Sequence, residues 1–204
     1  MHAIYNYMDP FLGADDATAM LRIAESLESF GTYADEASSD GLGEKLPQRF
    51  DAAFNYIAYG IEGTGNADDT RTASHRTNYF RETYAYGEEV RAPGIEPFMQ
   101  QRDLQGLARK VSGRSEIVPA IVYANLLIPG QELAVHTDVP EFRGANRKVL
   151  PQWLLVVMLH SGLFDAWRIP IATCVSWFGA SGGGAFTFYP KGPVSYTHLR
   201  AHET

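Results

Sequence analysis

A histidine and an aspartate two residues apart have the residue types and the spacing for metal chemistry. His136 and Asp138 follow a turn at 128–130 and an alternating stretch, so the sequence predicts a strand over 131–138. Side chains at positions i and i+2 of a strand project from the same face. A neutral imidazole and a carboxylate on one face are ligands for a divalent first-row metal. The competing interpretation is a surface histidine beside a turn aspartate ahead of Pro140.

Two short motifs give this pair a wider context. The first has the pattern N-x-x-x-P-G-x-x-L-x-x-H-x-D and runs from Asn125 to Asp138, and the second, at 183–190, reads GGAFTFYP. Together they resemble motifs of the Fe(II)- and 2-oxoglutarate-dependent dioxygenases, in particular the prolyl-hydroxylase-like and nucleic-acid-demethylase-like members. The resemblance covers roughly residues 115–193, which is under half of the chain.

The resemblance implies a role for each residue at a matching position. His136 and Asp138 would be two of the three ligands in a 2-His-1-carboxylate iron centre. Asn125 matches a residue that hydrogen-bonds 2-oxoglutarate. Tyr123 is a candidate to replace a tyrosine that demethylase-like relatives carry where this chain has Leu127, although a core aromatic is an equally open role for it. The implied cofactors are Fe(II) and 2-oxoglutarate, and the implied reaction hydroxylates a small-molecule or peptide substrate with O2 as co-substrate.

The third iron ligand has no clear counterpart in the sequence. In the family the distal histidine follows the glycine-rich strand, and an Arg or Lys beyond it binds the far carboxylate of 2-oxoglutarate. His160 precedes that strand, so we expect a buried core histidine. His198 and His202 follow it, but they belong to 194–204, which resembles translated adapter or vector sequence and is set aside as a non-native tail. We therefore expect a C-terminally truncated, inactive or impaired fragment.

The elements that must position these residues divide the chain into two parts. Residues 1–114 carry amphipathic patterns that predict helices over 17–30, 47–61 and 98–111, and an alternating pattern that predicts a strand around 80–86. From residue 115 onward, β-branched and aromatic runs predict short strands over 117–127, 131–138, 154–160, 169–178 and 185–189. The predicted fold is therefore α+β. The short strands favour a barrel or sandwich core at 115–193 packed by the N-terminal helices, and the resemblance implies that this core is a double-stranded β-helix (jelly-roll or cupin-like) in one oxygenase-like domain, 1–193.

The composition of the chain limits the kinds of partner and the cellular compartment that we expect for this protein. A net charge of −7 disfavours a nucleic-acid or anionic-membrane binder, because those proteins need a basic face. The longest apolar run, 154–159, is too short to span a bilayer, and no basic leader precedes an apolar stretch at the start of the sequence. The single cysteine, Cys174, fits the reducing cytoplasm. Two other functional hypotheses stay open, a non-catalytic cupin-like barrel that binds a small ligand and a structural domain whose His-x-Asp pair is coincidental.

Overall fold

The computed structural model describes residues 8, 11–33, 78–133, 136–178, 184–188 and 197–199. These residues form a mixed α/β structure with antiparallel sheets, and none of the sheets they form closes into a barrel. The helices are α1 (Ala14–Ser26), α2 (Glu96–Met99), α3 (Arg102–Ser112) and α4 (Gln152–Ser161), with one turn of 3-10 helix at Asp165–Trp167. The strands are β1 (Gly31–Thr32), β2 (Phe80–Tyr86), β3 (Glu89–Val90), β4 (Ile121–Leu126), β5 (Glu141–Phe142), β6 (Arg168–Ile169), β7 (Phe186–Phe188) and β8 (Thr197–Leu199). The helix predicted over 47–61 lies outside the described residues.

The largest sheet is built around β2. Strand β1 pairs antiparallel with the start of β2, with Thr32 opposite Phe80, and β3 pairs antiparallel with its end, with Tyr86 opposite Glu89. Strand β4 also pairs with β2. The alternating pattern that predicts a strand over 80–86 is therefore confirmed. The described part of 1–114 therefore contains strands together with helices.

One compact unit comprises the described residues of Met1–Ser29, Thr83–Ala124 and Ala172–Thr204. The apolar stripe of α1 packs into its core, which confirms the predicted amphipathic helix with bounds of Ala14–Ser26 in place of 17–30. The helix ends where the backbone of Leu27 becomes extended, at φ −76° and ψ 129°. The buried residues of this core are Ile23, Tyr84, Ala85, Ala92 and Ile95.

The single helix predicted over 98–111 is wrong in one respect, because the chain forms two helices there. Gln101 has an extended backbone between α2 and α3, and its side-chain oxygen accepts a hydrogen bond from the backbone N–H of Leu104 at 2.6 Å. This bond satisfies one of the N–H groups that have no partner inside the helix at its N-terminus. A new helix therefore begins at Arg102.

The second compact unit comprises the described residues of Phe30–Glu82 and Asn125–Ile171. Its core brings together three buried side chains, Val139, Phe142 and Leu155, against which residues of α4 pack. Strand β5 pairs antiparallel with β6 next to this core. The candidate ligands His136 and Asp138 belong to this unit and directly precede Val139 in the chain.

The strand predicted over 154–160 is wrong, because these residues lie in α4. A short, fully apolar run has no alternation, so periodicity cannot distinguish a buried strand from a buried helix. The signals that identify the helix are at its ends. Pro151 occupies the N-cap, and Gly162 ends the helix at φ 68°, a left-handed conformation that glycine adopts without a steric penalty. None of the described helices is long and apolar enough to cross a membrane.

The other strands predicted beyond residue 115 have mixed outcomes. The strand predicted over 117–127 is present but shorter, as β4, and the one over 185–189 is confirmed as β7. Of the strand predicted over 169–178, only Ile169 lies in a strand, β6, so the prediction is wrong for 170–178. The described residues of 131–138 form no strand. Strand β8 lies within 194–204 and pairs antiparallel with β7, so part of this segment is extended. The non-native origin of 194–204 stays a prediction.

Candidate metal centre

The segment that carries the candidate ligands is held at both of its ends. Before it, a turn places Gly130 at φ 91° and is closed by a hydrogen bond of 3.0 Å from the Gln131 N–H to the Ile128 carbonyl. After it, Val139 is buried against Phe142 and Leu155. Between these two points the described residues lie outside regular secondary structure. The described residues of this segment, 131–133 and 136–138, are therefore a loop beside the core of the second unit, and they do not form the predicted strand.

The structure brings His136 and Asp138 together. The imidazole Nε2 lies 3.8 Å from the Asp138 Oδ1, and the two side chains are 28% and 50% exposed. Two adjacent ligands at about 2.1 Å from one metal, with a right angle between them, are about 3.0 Å apart. The observed 3.8 Å must therefore shorten by roughly 0.8 Å for chelation. Chelation by this pair would therefore require the two side chains to move closer together.

The same geometry also describes a surface ion pair. When the imidazole is protonated, a separation of 3.8 Å between Nε2 and Oδ1 is within ion-pair distance. Pairs at this exposure contribute about 0–1 kcal/mol to stability, since water screens the charges. The ion pair by itself is therefore a weak contribution to stability.

Asn125 and Tyr123 both lie in β4, two positions apart and half-buried. The Asn125 Oδ1 is buried, and no described residue donates a hydrogen bond to it. A buried amide oxygen without a partner costs about 1–3 kcal/mol. Because an amide can turn over and exchange its oxygen and nitrogen, this position can present either an acceptor or donors to a ligand. The unpaired Oδ1 is consistent with the ligand-binding role that the resemblance implies for Asn125.

Of the facial triad that the resemblance implies, the described residues bring together two candidate ligands, His136 and Asp138. Among them, no group of three or more His, Cys, Asp or Glu side chains is arranged to hold a metal ion. His160 is exposed in the last turn of α4, so the prediction of a buried core histidine is wrong. A histidine at this end of a helix is favoured there when it is charged, because the C-terminus carries a partial negative charge.

His198 belongs to β8, where its backbone lies opposite Thr187. The prediction for His202 lies outside the described residues. The His–Asp pair has donor types that suit Fe(II), but it is one ligand short of the triad that the resemblance implies. Comparison of the chain with protein-family models, with curated proteins and with solved structures finds no match.

Proposed function

We propose that this protein is an Fe(II)- and 2-oxoglutarate-dependent oxygenase that hydroxylates a small-molecule or peptide substrate. The observation that carries the proposal is the His136–Asp138 pair, with Nε2 and Oδ1 3.8 Å apart on an anchored loop. When bound, the iron would supply the activation of O2 that is coupled to decarboxylation of 2-oxoglutarate. The proposed fold is the double-stranded β-helix of that family, and the proposed location is the cytoplasm, on the ground of the single cysteine.

In this proposal the chain's own residues bind and orient the cofactors. His136 would donate a nitrogen lone pair and Asp138 a carboxylate oxygen to the metal. Asn125 would hydrogen-bond 2-oxoglutarate through its side-chain amide, whose Oδ1 has no described partner. Tyr123, on the same strand, would be the second group that contacts 2-oxoglutarate. Two protein ligands hold a metal more weakly than three, and the described residues bring no third ligand to the pair, so we expect weak metal binding and low turnover.

The second candidate is a non-catalytic, cupin-like protein that binds a small ligand. It is favoured by the absence, among the described residues, of a third metal-ligating side chain at the pair. In such a protein the Asn125 amide would still bind a ligand, but the His136–Asp138 pair would only be a surface ion pair. The two candidates therefore differ in whether ligand binding depends on metal.

The deciding experiment is an anaerobic titration with Co(II), whose visible spectrum reports coordination at an iron site, with and without 2-oxoglutarate. We expect weak but saturable binding to the 204-residue chain. His136→Ala and Asp138→Ala should each remove it, since each variant lacks one of the two proposed ligands. His160→Ala is the matched control, because it deletes an exposed histidine that lies outside the pair.

Three results would change this interpretation. Unaltered Co(II) binding in His136→Ala would contradict the ligand assignment. Tight stoichiometric binding by the unsubstituted chain would contradict the two-ligand description and indicate a third donor, with His198 and His202 as the next residues to substitute. Binding of 2-oxoglutarate that is independent of metal would favour the non-catalytic candidate.

A further inference from the structure

Gln131 connects two parts of the chain that are 53 residues apart. Its side-chain Oε1 accepts a hydrogen bond from the backbone N–H of Ile128 at 3.1 Å, and its Nε2 donates to the backbone carbonyl of Asn78 at 3.0 Å. Its own N–H also donates to the Ile128 carbonyl at 3.0 Å. One half-buried side chain therefore closes the turn at 128–131, which precedes His136 and Asp138, and links that turn by a hydrogen bond to the backbone just before β2.

The residues to which Gln131 is fastened are themselves well packed. Tyr79, next to Asn78, is 1% exposed, and its ring stacks on that of Tyr33 with centroids 5.1 Å apart. The Tyr79 carbonyl accepts a hydrogen bond from the Tyr33 N–H at 2.9 Å. The Asn78 carbonyl is thus next to a fixed backbone. A hydrogen bond to it restrains the turn more than a bond within the turn alone.

We propose that Gln131 is a positioning residue for the His136–Asp138 pair. It lies five residues before His136, and the buried Val139 directly follows Asp138. Contacts at Gln131 and Val139, on either side of the pair, reduce the backbone conformations open to His136 and Asp138, so less conformational entropy is lost when the two donors bind a metal. The consequence for metal binding rests on the proposed function, but the restraint itself is a property of the backbone and can be measured without metal.

The test compares Gln131→Ala and Gln131→Glu with the unsubstituted protein by NMR in the absence of metal. The glutamate variant separates the two bonds, because its carboxylate still accepts from the Ile128 N–H but cannot donate to the Asn78 carbonyl. The control is Gln105→Ala in α3. Gln105 likewise uses both ends of its amide, donating to the Met99 carbonyl at 3.4 Å and accepting from Arg109 at 3.2 Å.

In Gln131→Ala we expect the Ile128 amide to exchange with solvent about fivefold faster, as for the loss of one ordinary hydrogen bond. We also expect lower heteronuclear NOE values at the His136 and Asp138 amides, which report faster backbone motion. Gln131→Glu should keep the Ile128 amide protected but lower the NOE values at the pair. Gln105→Ala should change neither.

Unchanged NOE values at His136 and Asp138 in both Gln131 variants would overturn the proposal, because Gln131 would then support only its own turn. A change in Gln131→Ala but none in Gln131→Glu would overturn the role given to the Asn78 bond. Co(II) titration of the same samples is a separate measurement. If the unsubstituted protein binds no Co(II), the proposed function fails, whereas the NOE comparison still decides the role of Gln131.

Discussion

Two adjacent valines in α4 provide a sensitive test of the second unit. Val156 is 0% exposed and Val157 is 43% exposed. The same Val→Ala change therefore removes fully buried atoms at one position and partly exposed atoms at the next. We expect Val156→Ala to destabilise the protein and Val157→Ala to be nearly neutral. A strand buried on both faces, which the apolar run predicts, would make the two changes similar in cost.

The size of the difference follows from burial. Val→Ala removes two carbon atoms, each contributing about 0.8 kcal/mol when buried, and leaves a cavity that adds to the loss. Alanine regains about 0.5 kcal/mol through its higher helix propensity. The net destabilisation by Val156→Ala is therefore about 2 kcal/mol. At Val157 the smaller loss of burial and the gain in propensity cancel to about 0 kcal/mol.

Urea unfolding followed by far-UV circular dichroism and tryptophan fluorescence would measure this difference. Trp153 and Trp167 belong to the same unit as the two valines, so their fluorescence reports on its unfolding. With a slope of about 2 kcal/mol per molar urea, Val156→Ala should lower the midpoint by about 1 M. Val157→Ala should leave it within about 0.2 M of the unsubstituted protein.

Equal midpoints for the two variants would refute the reasoning. Two equal decreases would mean that both valines are buried, as in a strand with two covered faces. Two unchanged midpoints would mean that the Val156 side chain is not buried in the folded protein. Only a difference of the predicted sign supports a helix with one buried side.

Two further predictions concern single polar side chains. Asn125→Leu should raise the free energy of unfolding by about 1 kcal/mol, since it removes a buried amide oxygen that lacks a described partner. The same variant should bind 2-oxoglutarate more weakly in a calorimetric titration. A lower urea midpoint would contradict the first expectation and show that the oxygen is paired. Gln101→Ala should cost about 1 kcal/mol by removing the N-cap of α3. Gln100→Ala is its control, with an expected change below about 0.5 kcal/mol, and equal losses would contradict the capping role.

Sequence patterns predicted those elements whose signal is local. The stripe of apolar residues in α1 and the alternation in β2 each reflect contact with a core along one face, and both elements are present. The closeness of His136 and Asp138 is local as well. Side chains two positions apart stay near each other in many extended or loop conformations, so the pair meets even though the predicted strand does not form.

The run at 154–160 shows what local pattern leaves undetermined. Every position before His160 is apolar, so neither period stands out, and the choice between helix and strand depends on what the rest of the chain packs against. Pro151 and Gly162 mark the helix ends, but only the tertiary structure shows that Leu155 and Val156 are buried while Val157 is exposed.

The sequence by itself determined the pairing of an imidazole with a carboxylate, because only one residue separates them. Tertiary structure decided how that pair is held. The bond from Gln131 to Asn78 spans 53 residues, and the packing of Val139 on Leu155 joins the loop to a helix that follows it. No pattern of neighbouring residues specifies such contacts. They arise from the joint burial of distant apolar groups and the need to pair the polar atoms buried with them.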